Sequence, residues 1–126
     1  HHMKQSLNRR YKKFRKQHIN KQMNTSDCDE RGIFKVEDNK KVCKPVNTFI
    51  LADESKVISV CQNGTKQGKC MKSNDNFKLV TCRLTNNQAD YPECLYQGAR
   101  YNRRVLLLCE NLLPFHYEAN FGNCLA

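Results

Sequence analysis

The stretch Cys43-Lys44-Pro45-Val46-Asn47-Thr48-Phe49 sets a cation beside a cysteine and places both just ahead of a proline. Pro45 fixes φ and removes a backbone donor, as prolines do at the start of extended segments. Cys43 belongs to a set of eight, Cys28, Cys43, Cys61, Cys70, Cys82, Cys94, Cys109 and Cys124, spaced by 15, 18, 9, 12, 12, 15 and 15 residues. The close Cys-x-x-Cys pair usual in zinc modules does not occur. An even number of widely spaced cysteines in a small chain points to disulfides formed in an oxidising compartment. Each bridge would stabilise by about 2–4 kcal/mol, mainly by restricting the unfolded chain. Lys44 alone reads equally well as an exposed loop cation.

The length of 126 residues suits one domain, since two would each be too small to bury much core. His1-His2-Met3 reads as the remnant of an affinity tag and a start codon, which leaves 4–126 as the domain. Hydrophobic residues make up 39% of the chain and tryptophan is absent, so the expected core is thin and in need of cross-links. No apolar run is long enough to span a bilayer. A secreted protein of this kind would have had its signal segment removed.

Net charge is +10 and unevenly placed. Lys4, Arg9, Arg10, Lys12, Lys13, Arg15, Lys16 and Lys21 precede Met23 without a single acid, whereas the remaining 103 residues carry only +2. Such a run is commonly a solvated helix face. It also attracts polyanions such as nucleic acid, anionic lipid or heparin-like polymers.

Leu7, Tyr11, Phe14 and His18 recur at spacings of four, three and four, which predicts an amphipathic helix over Ser6–Ile19 with His18 on its apolar face. A histidine there is more often a core residue than a catalyst. Ser26 and Asp29 suggest the capped start of a short helix ended by Gly32, and Asp53 suggests another running through Ser55, Val57, Ile58 and Cys61. Phe77–Leu84, Cys94–Tyr101 and Arg104–Glu110 read as strands, with Asn102-Arg103 as a turn between the last two. Helices followed by mostly antiparallel strands make the expected class α+β. Pro92 and Pro114 are candidates for cis bonds, and Asn24-Thr25-Ser26 and Asn63-Gly64-Thr65 are glycosylation sequons.

Three segments together are more specific than any one: Gln17-His18-Ile19, the Cys43–Phe49 string and Phe115-His116-Tyr117-Glu118. With them the chain resembles the pancreatic ribonuclease (ribonuclease A) superfamily, whose signature the Cys43–Phe49 string matches almost letter for letter. The resemblance runs from Lys13 to about Asn120. It implies three short helices on a V-shaped antiparallel sheet, and cleavage of RNA after pyrimidines through a 2′,3′-cyclic phosphate, without metal or cofactor. It further implies His18 as base, His116 as acid and Lys44 as charge stabiliser. Gln17 and the backbone of Tyr117 would contact the phosphate, with Glu118 holding the His116 ring. Thr48 and Asn47, with Val46 and Tyr117 beside them, would form the pyrimidine site; Lys13 and Lys16 would hold flanking phosphates, and Glu110 would lie at the second base. Suggested bridges are Cys28–Cys82, Cys43–Cys94 and Cys61–Cys109, leaving Cys70–Cys124.

The chemistry explains these residue types. Attack of a 2′-OH on phosphorus needs a base at the hydroxyl and an acid at the leaving oxygen, and imidazole serves both near neutrality. A fixed cation lowers the cost of charge growing on the phosphorane.

Departures from the family pattern are also visible. Cys124 lies in a C-terminal extension, the usual partner of Cys70 is missing, and the segment after Cys61 is short, as in angiogenins. Lys69 stands where efficient relatives place asparagine, and Glu118 where they place aspartate. Modest turnover is therefore expected, with the tail near the groove. The competing reading is a secreted effector, bactericidal or angiogenin-like, acting by binding bacterial surfaces or a receptor. A monomer is the default.

Overall fold

The computed structural model describes residues 2–31, 33–86 and 90–125, with side chains from Arg9 onward. The first helix, α1, spans His2–His18, a segment free of glycine, proline and β-branched residues. Arg15 and Lys16 in its last turn complement the negative end of the helix dipole. Tyr11, Phe14 and His18 form its buried face; the side chain of Leu7 lies outside the described residues. The helix stops where Ile19 makes a parallel bridge to Ile50.

The short helix expected at Ser26 is a 3₁₀ segment, Thr25–Arg31. It opens one residue before the expected cap: Asp27 reaches back to accept the Asn24 N–H at 3.1 Å, as a capping-box acid does, and Asp29 accepts from the Tyr96 N–H at 2.6 Å. The expected stop at Gly32 lies outside the described residues. Next come β1 (Phe34–Glu37), β2 (Lys40–Cys43) and β3 (Val46–Ile50). The helix α2 (Glu54–Asn63) begins after Asp53 as the sequence suggests, yet the Asp53 carboxylate pairs with Lys21 at 3.2 Å rather than capping. Strands β4 (Thr65–Gln67), β5 (Cys70–Lys72), β6 (Phe77–Leu84), β7 (Tyr96–Arg103), β8 (Leu106–Glu110) and β9 (Leu113–Glu118) follow, then α3 (Gly122–Leu125).

The class is α+β, as expected, with antiparallel strands in two main sheets, β3-β6-β7 and β4-β5-β8-β9, beside the β1-β2 ribbon. Asn102-Arg103 is not a turn. Both residues remain in β7, where they pair with Lys78 and Phe77, because β6 offers an eight-residue ladder that holds β7 to its end. The chain then crosses to the other sheet, where Leu106 pairs with Lys72. The β8-β9 hairpin turns at Asn111-Leu112, both at positive φ.

One core cluster joins Phe14 of α1 and Val57 of α2 to Ile50, Leu79 and Leu107 from both sheets; a second gathers Met23, Ile33, Phe49 and Val80. Disulfides Cys28–Cys82, Cys43–Cys94, Cys61–Cys109 and Cys70–Cys124 are present. The Tyr91–Pro92 bond is cis and the bond before Pro114 is not. Among the described residues no helix is long and apolar enough to cross a membrane.

Candidate active site

The last turn of α1 carries His18 under the edge of β3. Its Nδ1 lies 2.8 Å from the Thr48 carbonyl oxygen. A carbonyl only accepts, so Nδ1 holds the hydrogen and Nε2 keeps a free lone pair. The ring sits between Phe14, with centroids 5.1 Å apart, and Tyr117, stacked at 5.7 Å. Burial in this aromatic slot pushes the His18 pKa down to about 4; the Thr48 carbonyl pulls the other way, while Lys44 and His116 add to the depression. His18 is therefore neutral at physiological pH.

Lys44 enters from the loop between β2 and β3. Its ammonium donates to Asn47 Oδ1 at 2.8 Å, and the Asn47 amide donates to the Gln17 carbonyl at 2.9 Å. Buried Asn47 thus faces the protein and fixes Lys44 against the end of α1, whereas the sequence suggested a substrate contact. Burial lowers the Lys44 pKa, and the cations Lys13 and Lys35 lower it further. Their field places Lys13, from α1, and Lys35, from β1, within electrostatic reach of this lysine.

Strand β9 supplies His116, Tyr117 and Glu118. His116 is half exposed, and its Nε2 lies 3.2 Å from Glu118 Oε1. With that nitrogen engaged, Nδ1 remains for exchange with a bound molecule. Burial pushes the Glu118 carboxyl up, but hydrogen bonds from the Asn120 N–H, the Asn123 amide and His116 outweigh it, holding the group below its usual range. The longer side chain thus still reaches the imidazole.

Thr48 is buried in β3, and its hydroxyl shares a 2.9 Å hydrogen bond with that of Thr81, its register partner in β6. The sequence reading missed Thr81; strand pairing of β3 with β6 was the signal that would have found it. Val46 is exposed, Gln17 half-buried, and Lys13 and Lys16 are exposed on α1. Glu110, at the position the sequence assigns to the second base, is exposed and ion-paired with Arg10, whose guanidinium also lies 3.8 Å over the Phe115 ring. Among the described residues no cluster of acids, histidines or cysteines could hold a metal ion.

A neutral imidazole, a second imidazole tied to a carboxylate and a partly desolvated ammonium are what acid–base displacement at phosphorus requires. A family model described as pancreatic ribonuclease matches residues 9–118. The chain belongs to the pancreatic ribonuclease family. Ribonuclease-like 3 of Danio rerio is 33% identical over 120 residues, spanning 89% of this chain and 79% of the relative. Pancreatic ribonuclease of Myocastor coypus is 34% identical over 122 residues, spanning 86% of this chain and 92% of the relative. Among solved structures, RNase ZF-1A superposes at a TM-score of 0.85 with 35% identity, over 92% of this chain and 94% of that one. The X-ray structure of zebrafish RNase5 gives 0.83 with 33% identity, over 91% and 97%. Pancreatic ribonuclease kinship makes RNA the substrate class, and every residue of the candidate site lies inside the matched span. Asn120, Asn123 and the rest of the tail lie beyond it.

Proposed function

We propose that this chain, a single domain over 4–126, is a secreted endoribonuclease that cleaves RNA after pyrimidines by transphosphorylation. The observation that carries the proposal is the pair of opposite tautomers: His18 tied through Nδ1 to Thr48, and His116 tied through Nε2 to Glu118. His18 Nε2 takes the proton of the 2′-OH as that oxygen bonds to phosphorus. The P–O5′ bond breaks, and protonated His116 gives its Nδ1 hydrogen to the leaving 5′-oxygen. Lys44, preset by Asn47, offsets the charge on the non-bridging oxygens, with Gln17 and the Tyr117 N–H as further donors. Thr48 reads the pyrimidine edge with its hydroxyl and backbone N–H, and Val46 flanks the ring. Because the Thr48 and Thr81 hydroxyls can each donate or accept, cytosine and uracil are both accommodated.

The test is cleavage of short RNA oligonucleotides with one pyrimidine, beside His18→Ala and His116→Ala. Each variant should lose roughly 10²–10⁴-fold in kcat, and the wild type should yield a cyclic phosphate. A folded wild type that leaves the oligonucleotide intact would sink the proposal. The reading as a membrane-binding effector ranks second, because Tyr11 and Phe14, the aromatics interleaved with the cations of α1, are committed to the core. Bacterial killing that survives His116→Ala would assign killing to charge alone.

A further inference from the structure

The C-terminal extension holds a side chain that reaches the acid–base apparatus from outside the family's matched span. Glu118 uses its two oxygens differently. Oε1 faces His116 Nε2 at 3.2 Å, while Oε2 accepts the Asn120 N–H at 3.0 Å and the Asn123 side-chain amide at 3.1 Å. The Glu118 side chain is only 10% exposed, so its orientation is fixed by these donors rather than averaged by water. From the next position, Cys124 is buried and disulfide-linked to Cys70 of β5, and its carbonyl accepts the Lys69 N–H at 2.8 Å. A second internal bond, from the Gly122 N–H to Asn120 Oδ1 at 2.9 Å, stiffens the turn that delivers Asn123.

We infer that Asn123 is a positioning residue for the cleavage reaction, locking the rotamer of Glu118 so that its free oxygen keeps the His116 imidazole aimed with Nδ1 toward substrate. Glutamate has one more rotatable bond than aspartate, so its carboxylate needs an external stop to sit as firmly. The tail supplies that stop. An exposed amide–carboxylate hydrogen bond is ordinarily weak because both partners are free to leave. Here the donor's neighbour is covalently anchored and backbone-bonded, so little freedom is lost when the contact forms. The Cys70–Cys124 bridge is thereby part of the site's support as well as of the fold.

The inference rests on the proposed acid role of His116, and its test separates the two. Asn123→Ala and Asn123→Gln are compared with wild type by steady-state cleavage of a pyrimidine-containing oligonucleotide and by ¹⁵N NMR of the neutral His116 ring. Asn123→Ala should lower kcat by about fivefold with KM unchanged, the size of one lost hydrogen bond felt in the transition state. It should also convert the Nε2–H tautomer of His116 into a mixture, and Asn123→Gln, which keeps an amide donor, should recover most of both effects. An unchanged tautomer in Asn123→Ala overturns the inference whatever kcat does. A shifted tautomer with no cleavage even in wild type supports the positioning role and removes the acid role instead.

Discussion

Burial, more than any neighbouring charge, sets the proton affinity of His18. Because its folded pKa of about 4 lies below the ordinary imidazole value, the unfolded chain takes up this proton first as pH falls. The contribution to stability is complete above about pH 6.5 and is lost as pH drops toward 4, on the order of 3 kcal/mol in all. Urea titrations at pH 7 and pH 4.5 should therefore differ less in His18→Gln than in wild type. The same depression means that the acid limb of kcat/KM should fall below pH 5, and a midpoint near 6.5 would contradict the buried setting. Asn47 carries a separate expectation. Its replacement by alanine leaves the Gln17 carbonyl and the Lys44 ammonium without their partners, which should cost about 1–3 kcal/mol in chemical denaturation and lower turnover. The identity of His18, Lys44 and His116 as candidates is legible in the sequence because short motifs surround them. The inward role of Asn47 is not, since the sequence does not state which face of β3 the end of α1 packs against.

At the level of elements, α1 and β6 are the most legible, one through its three-and-four spacing and the other through an unbroken β-rich run, Phe77–Leu84. The β1-β2 ribbon escapes notice because it is nearly all exposed, so no alternation of apolar and polar residues marks it. Its turn does carry a signal in Asp38-Asn39, both at positive φ, which suits residues that tolerate the left-handed region. The β8-β9 turn is less well matched, for Leu112 sits at φ 64° while largely exposed. A branched side chain there is strained, and Asn-Gly is the sequence such a turn favours. Leu112→Gly should raise stability by about 1 kcal/mol, read as a higher denaturation midpoint. The error at Asn102-Arg103 has a related origin: polar residues resemble a turn until a partner strand is known to continue beside them.

For the molecule as a whole, charge and covalent linkage divide the chain in the same place. The cationic α1 carries Lys13 and Lys16 on its exposed side, so cleavage of long RNA should weaken steeply with salt. Lys13→Ala with Lys16→Ala should flatten that dependence of log kcat/KM by about one unit of slope per lysine. The four bridges close loops 28–82, 43–94, 61–109 and 70–124, and these overlap without a gap from Cys28 to Cys124. Any one backbone cut inside that span leaves the pieces tied together. A cut between Ile19 and Asp27 does not, because α1 precedes every loop and is held by packing, hydrogen bonds and the ion pairs of Arg10 with Glu110 and Arg15 with Glu54, none of them covalent. Exposed Lys21 lies in that connector. A protease nick there would turn one chain into a two-component system, with His18 on a detachable peptide and Lys44 and His116 on the remainder. Activity would then depend on concentration, vanishing on dilution and returning on mixing.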